Sequence, residues 1–165
     1  MVSEKKTVAV VMGSESDMPV MKDCIDTLRE FGIEPAVRIL SAHRTPQAAA
    51  EFAEAAAENG IKIIIAAAGM AAHLAGALAG RTTLPIIGVP LAAGALGGVD
   101  ALLSTVQMPA GVPVATMAIG KAGAKNAAIF AVQVLALSDA PLAKKLADFR
   151  KAHQAKAIEK DASQG

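Results

Sequence analysis

Tryptophan and tyrosine are absent from this 165-residue chain, and phenylalanine occurs only four times. That scarcity argues against the aromatic platforms on which single-stranded nucleic acids stack. Charge is no more suggestive, because sixteen basic and fifteen acidic residues leave a net charge of +1. No basic patch points to nucleic acid or to an anionic membrane. Cys24 is the only cysteine, which excludes a disulfide framework and a thiolate metal cluster. On its predicted helix it reads as a small buried apolar residue. The three histidines, His43, His73 and His153, include no i, i+4 pair of the kind that grips zinc, so no metal is expected. The N-terminus shows no signal-peptide layout, and a cytoplasmic protein is expected.

One long apolar run invites a membrane reading. Ile63 to Gly80 is interrupted only by His73 and reaches the length of a membrane span. Its internal order speaks against that: Ile63-Ile64-Ile65 is β-branched, Ala66 to Gly69 turns small, and Ala71 onward favours helix. The run reads as strand, loop, helix.

The same alternation extends over the whole chain. Thr7 to Met12, Pro35 to Leu40, Lys62 to Ala67, Pro85 to Val89 and Val112 to Ile119 read as five strands. Between them lie predicted helices over Met18 to Phe31, closed by Gly32, over Pro46 to Asn59, stopped by Gly60, from Ala71 onward, and through Val106 with Asp100 as cap. Leu91 to Gly98 reads as a loop. An apolar helix near Ala122 to Leu137 and an amphipathic one from Leu142 to about Ile158, capped by Ser138-Asp139, complete the chain, with Glu159 to Gly165 expected to fray. Strands alternating with helices predict a single α/β domain, a three-layer α/β/α doubly wound parallel sheet with a C-terminal helix, ordered over about 6–158. From Ile61 to Gly120 the only charges are Lys62, Arg81 and Asp100, too few to solvate a lone small domain, so a homo-oligomer is expected.

In such a sheet ligands bind outside the carboxyl ends of the strands, and the loops there carry the chemistry-bearing residues. The first strand ends in Gly13-Ser14-Glu15-Ser16-Asp17, where Ser16 or Asp17 can cap the next helix and backbone N–H groups and hydroxyls can meet a phosphate. Neither the P-loop nor the Gly-x-Gly-x-x-Gly spacing occurs. The second strand leads into Ser41-Ala42-His43-Arg44-Thr45-Pro46, with Thr45 as helix cap and Pro46 at the first helical position. The third leads into Ala68-Gly69-Met70-Ala71-Ala72-His73, where Gly69 permits close approach to a ligand. Arg44, Ser14 and Ser16 suit an anionic group, Asp17 suits ribose hydroxyls, and an imidazole such as that of His43 both donates and accepts a proton. A hydrolytic triad fits poorly, since no Gly-x-Ser-x-Gly elbow occurs and no acid is obviously placed to orient His43. A lone histidine serves structure more often than catalysis; its company here favours proton transfer on a phosphorylated, sugar-linked small molecule.

Six segments together are more specific than any one. Gly13-Ser-Glu-Ser-Asp17, Ser41-Ala-His-Arg-Thr-Pro46, Gly69-Met-Ala-Ala-His-Leu74, Pro85-Ile-Ile-Gly-Val-Pro90, Val106-Gln-Met-Pro-Ala-Gly-Val-Pro-Val-Ala-Thr116 and Ala118-Ile-Gly-Lys-Ala-Gly-Ala-Lys-Asn-Ala127 occur in this order. The chain thereby resembles, from about Val8 to Arg150, the bacterial-type N5-carboxyaminoimidazole ribonucleotide mutases of de novo purine synthesis. The resemblance implies a flavodoxin-like fold and a carboxylate moved from the exocyclic nitrogen to C4 of the imidazole, without metal or organic cofactor. It also implies His43 as proton shuttle, with the ribonucleotide held by Ser14, Ser16, Asp17, Ser41, Arg44, Gly69, Ala71 and His73, in an octamer whose sites use neighbouring subunits. Met70 and Ala101 depart from the family pattern, where Gly and Ser are more usual. His73 matches the family's second histidine, and a structural role at the helix start is equally open. The animal-type carboxylase, which takes free CO2 and has Lys where this chain has Arg44, is the nearer alternative. A non-catalytic flavodoxin-like binding module is the more remote one, and it lacks the expected aromatics or acidic cluster.

Overall fold

The computed structural model describes residues 6–162. Its centre is a five-stranded, all-parallel sheet: β1 (Val8–Met12), β2 (Ala36–Ile39), β3 (Ile63–Gly69), β4 (Ile86–Leu91) and β5 (Ala115–Thr116), in the order β2-β1-β3-β4-β5. β1, β3 and β4 are continuous apolar runs because both of their faces are covered. The helices are α1 (Met18–Glu30), α2 (Pro46–Ala55), α3 (Leu74–Ala79), α4 (Val99–Val106), α5 (Lys121–Ala136) and α6 (Ala140–Ala162). Ala9, Val11, Ile64, Ala66 and Ile86 pack with Ala49 and Ala53 of α2 and Leu74, Ala75 and Leu78 of α3 on one face. Right-handed crossovers put α1 on the other, because β1 to β2 runs in the opposite direction from β2 to β3.

Helix ends follow local chemistry. Gly32, at φ 83°, closes α1 in a Schellman turn, with Gly32 N–H donating to Arg29 and Ile33 N–H to Leu28. Gly60, at φ 88°, ends the second helical segment likewise, although regular α-helix stops at Ala55 and continues only as turns. Asp139 caps α6, its carboxylate accepting from Leu142 N–H at 2.9 Å.

Several expectations need correction. Ser14, not Ser16 or Asp17, provides the capping hydroxyl after β1, for a short 3-10 turn over Glu15–Asp17. Asp17 stands at the N-cap of α1 but turns its carboxylate back to Ser14. Thr45 stands at the N-cap of α2 without capping it; its hydroxyl accepts from Ser41 N–H at 2.9 Å and ties the preceding loop. Asp100 lies inside the first turn of α4, and the cap position is held by Gly98 at φ 91°. α3 begins at Leu74, so His73 is its N-cap.

β4 continues through Pro90 to Leu91, where the proline carbonyl accepts from Gly120 N–H. Pro113 interrupts the expected fifth strand and leaves only two regular residues, though Met117 N–H still reaches the Gly88 carbonyl. α6 runs to Ala162 instead of stopping near Ile158, since no glycine or proline intervenes. The remainder of the expected frayed tail lies outside the described residues. The apolar run from Ile63 to Gly80 is β3, a loop and α3, and among the described residues no helix is long and apolar enough to cross a membrane.

The chain divides after Ala131 into two compact units. The first holds the sheet and α1 to α4 with the start of α5, whose Ala124, Ala127, Ala128 and Ala131 are buried. The second holds the end of α5 and the capped, largely exposed α6. α5 is not covered on all sides within one chain: Phe130 is exposed and Ile129 half-buried.

Candidate active site

The strand order reverses direction between β1 and β3, and parallel sheets bind ligands at such a switch point. A cleft of about 480 Å³ opens there. Ser14, Ser16, Asp17, Ser41, His43, Arg44, Gly69, Ala71 and His73 all line it. The loops after β1, β2 and β3 thus meet as the alternation of strands and helices predicts.

The β1 loop is a preformed cradle. Ser14 N–H donates to the Asp17 carboxylate at 3.0 Å, while the Ser14 hydroxyl accepts from the Ser16 hydroxyl at 2.9 Å and from Ser16 N–H at 3.4 Å. The Ser14 proton stays available to a ligand oxygen. Burial pushes the Asp17 carboxyl above its ordinary pKa, opposed by the Ser14 N–H, the Arg44 charge and the Gly13 backbone. Arg44 spans the β1 and β2 loops: its Nη2 donates to the Gly13 carbonyl at 2.7 Å and its Nε reaches the Ser41 hydroxyl at 3.5 Å. Ser41 also accepts from Arg44 N–H at 3.1 Å. A guanidinium anchored through one edge keeps further donors for a phosphate.

His43 meets His73 across the cleft. Nε2 of His43 lies 2.7 Å from Nδ1 of His73, with the rings edge to face at 83°. Only one hydrogen fits between nitrogens that close, so one ring donates and the other accepts, and the two facing nitrogens share a single proton. The orienting group that the sequence does not reveal for His43 is therefore the second histidine.

Gly69 behaves differently from expectation. A Cβ there would stand 2.7 Å from Ala93 Cβ and 3.3 Å from the Leu91 carbonyl, so the close approach glycine allows is to the loop after β4. Ala93 itself lines the cleft, as do Gly13, Ala42, Ala68, Met70 and Leu74. Of these, Gly13, Ala42, Leu74 and Ala93 go beyond the residues expected from the sequence, and they offer backbone or apolar surface without a reactive group. Placement of Leu91 to Gly98 on the same sheet edge is the signal that could have found Ala93. Met70 takes φ 56°, the left-handed region that favours glycine. Ala101, the other departure, is fully buried on α4 and does not line the cleft.

Fold and site define a class: a flavodoxin-like α/β protein with a serine-rich loop, an anchored guanidinium and an imidazole pair at the switch point, a layout suited to an enzyme acting on a small molecule. The AIR carboxylase family model matches residues 7–156, and the chain belongs to that family. An N5-carboxyaminoimidazole ribonucleotide mutase of Pyrococcus horikoshii is 51% identical over 160 residues, covering 97% of this chain and 89% of that protein. The mutase of Bacillus subtilis is 54% identical over 143 residues, covering 87% and 88%. The crystal structure of Treponema denticola PurE superposes with a TM-score of 0.85 at 31% identity, covering 95% of this chain and 97% of that one.

Proposed function

We propose that the chain converts N5-carboxyaminoimidazole ribonucleotide to 4-carboxyaminoimidazole ribonucleotide in de novo purine synthesis. The observation that carries this reading is the His43–His73 pair, 2.7 Å apart, in a cleft also walled by Ala68, Gly69 and Ala71. His43 donates a proton to the carbamate nitrogen, and the N–C bond breaks to release CO2 and the aminoimidazole. C4 of that enamine-like ring attacks the CO2, and His43 takes the C4 proton, which restores its starting state. One imidazole serves both steps because it works as acid and then as base. His73 holds the ring of His43 by the shared hydrogen. Small apolar walls at Ala68 and Ala71 keep CO2 in place and water away between the steps. Ser14, Ser16, Ser41 and Arg44 hold the phosphate end, and Asp17 the ribose. Proton transfer alone breaks and remakes the carboxylate bond, so the chemistry calls for no metal or organic cofactor.

The reading treats the whole chain, 1–165, as one mutase domain, supported by a family match that runs through both compact units. It places the protein in the cytoplasm, in keeping with a single, buried thiol. It makes the enzyme a homo-octamer, supported by the exposed Leu96, Val99, Leu103 and Val106. Arg44 favours the mutase over the direct carboxylase.

The test supplies N5-carboxyaminoimidazole ribonucleotide without ATP to the wild type and to His43→Asn, with aminoimidazole ribonucleotide and bicarbonate in parallel. Turnover of the first substrate is expected from the wild type, and a loss of at least about a hundredfold in the variant. Efficient turnover only of the second substrate makes the protein a direct carboxylase.

A further inference from the structure

Ser104 lies on α4 and does not line the cleft, yet its hydroxyl is bonded into the loop that carries His73. It donates to the Asp100 carbonyl at 2.7 Å and accepts from Ala72 N–H at 3.1 Å. A serine bonded to a carbonyl one helical turn back is commonplace and by itself means little. Here the hydroxyl's one hydrogen goes to the helix backbone, to the Asp100 carbonyl at 2.7 Å with the Ala101 carbonyl at 3.3 Å, which leaves its lone pairs to receive Ala72.

The loop needs an outside tie. Met70 sits at φ 56°, and among the described residues the backbone bonds within the loop span two residues: Ala72 N–H to Met70 O and His73 N–H to Ala71 O, both at 2.8 Å. Bonds of that span are bent and weak. Nor does the His73 side chain cap α3. Among the described residues, Ser104 is the one side chain from another element that bonds the 70–73 backbone. α4 is a firm base for it, since Ala101 and Thr105 are buried on either side. The next residue after Ala72 is His73, whose Nδ1 meets His43 at 2.7 Å.

We infer that Ser104 is a positioning residue: through the Ala72 amide it sets His73, and through His73 the ring of His43. The kinetic part of this inference rests on the proposed mutase activity; the mechanical part does not. Loss of the tie lets the loop shift by tenths of an ångström, which loosens the imidazole pair and leaves Ser14, Ser16, Ser41 and Arg44, the groups proposed to hold the phosphate, in place. The effect belongs in kcat more than in KM.

The experiment compares wild type, Ser104→Ala and Ser104→Thr by thermal melting, hydrogen exchange of the peptide spanning 70–74, and steady-state turnover of N5-carboxyaminoimidazole ribonucleotide. In Ser104→Ala, exchange at 70–74 is expected to quicken about three- to tenfold, the worth of one hydrogen bond, with global melting close to wild type. kcat falls about tenfold while KM stays within about twofold. Ser104→Thr, which keeps the hydroxyl, recovers most of both. Unchanged local exchange in Ser104→Ala, a rise in KM alone, or a threonine variant as poor as the alanine one overturns the inference. A wild type that turns over nothing overturns the mutase reading instead, and exchange in the two variants then decides the role of Ser104.

Discussion

At the residue scale, Asp17 shows the site working against stability. Burial raises its carboxyl pKa, so the folded chain holds that proton more tightly than the unfolded chain does. A raised group contributes stability below its unfolded pKa and loses it as pH climbs through the folded value. Near neutral pH the ionised Asp17 is therefore a cost, tempered by the Ser14 N–H and by Arg44. Asp17→Asn keeps an acceptor for Ser14 and removes the charge. Thermal melts should show the variant above wild type near neutral pH, with the gap closing as pH falls through the carboxylate range. KM for the ribonucleotide should rise about ten- to a hundredfold, the worth of a charged hydrogen bond. Cys24, whose thiol burial pushes up to about 12, stays an unreactive core residue.

At the scale of elements, the packing of α4 on the sheet depends on Gly88 in β4. A Cβ there would stand 2.9 Å from Val114 Cγ1 and closer still to the Thr105 methyl. Both side chains are branched at Cβ and stiff, so neither swings aside cheaply. Gly88→Ala should cost about 1–3 kcal/mol, read as a melting temperature lower by roughly 2–4 °C per kcal/mol. Adding Thr105→Ser, which deletes the obstructing methyl and keeps a hydroxyl able to donate to Ala101, should recover part of the loss. Full recovery is not expected while Val114 remains. Since α4 also carries Ser104, a shifted helix would reach the active site as well as the core.

For the whole molecule, the apolar excess between Ile61 and Gly120 has a definite location. Val99, Leu103 and Val106 recur at i, i+4 and i+7 on α4, each about half exposed, with Leu96 at 64% just before them. The opposite side of that helix is buried through Ala101 and Thr105. One face thus serves the chain's own core and the other is left to be covered, which the proposed octamer would do. Leu103→Asp should leave the circular dichroism spectrum intact while sedimentation velocity shows species smaller than eight chains. An unchanged octamer would locate the subunit contacts elsewhere.

Much of this was written into local patterns. Continuous apolar runs in β1 and β3 specify strands covered on both faces, and glycines at 32 and 60 close helices because only they take positive φ at no cost. Strands alternating with helices force the loops at Ser14, His43 and Gly69 onto one edge, so the meeting of these loops along one cleft was legible in the sequence. What stayed hidden depends on distances between parts far apart in the chain. The shared hydrogen of His43 and His73 joins residues thirty positions apart. The Gly13 carbonyl that steadies Arg44 and the Ala93 wall behind Gly69 have no reactive side chain to advertise them. Hydroxyls at Ser14 and Thr45 were ambiguous for another reason: a short polar side chain has several backbone partners in reach. Periodicity and turn chemistry, being local, determined the fold and which residues face the ligand edge. Tertiary packing alone decided which of those groups bond to one another, because that choice rests on tenths of an ångström between loops the chain brings together only when folded.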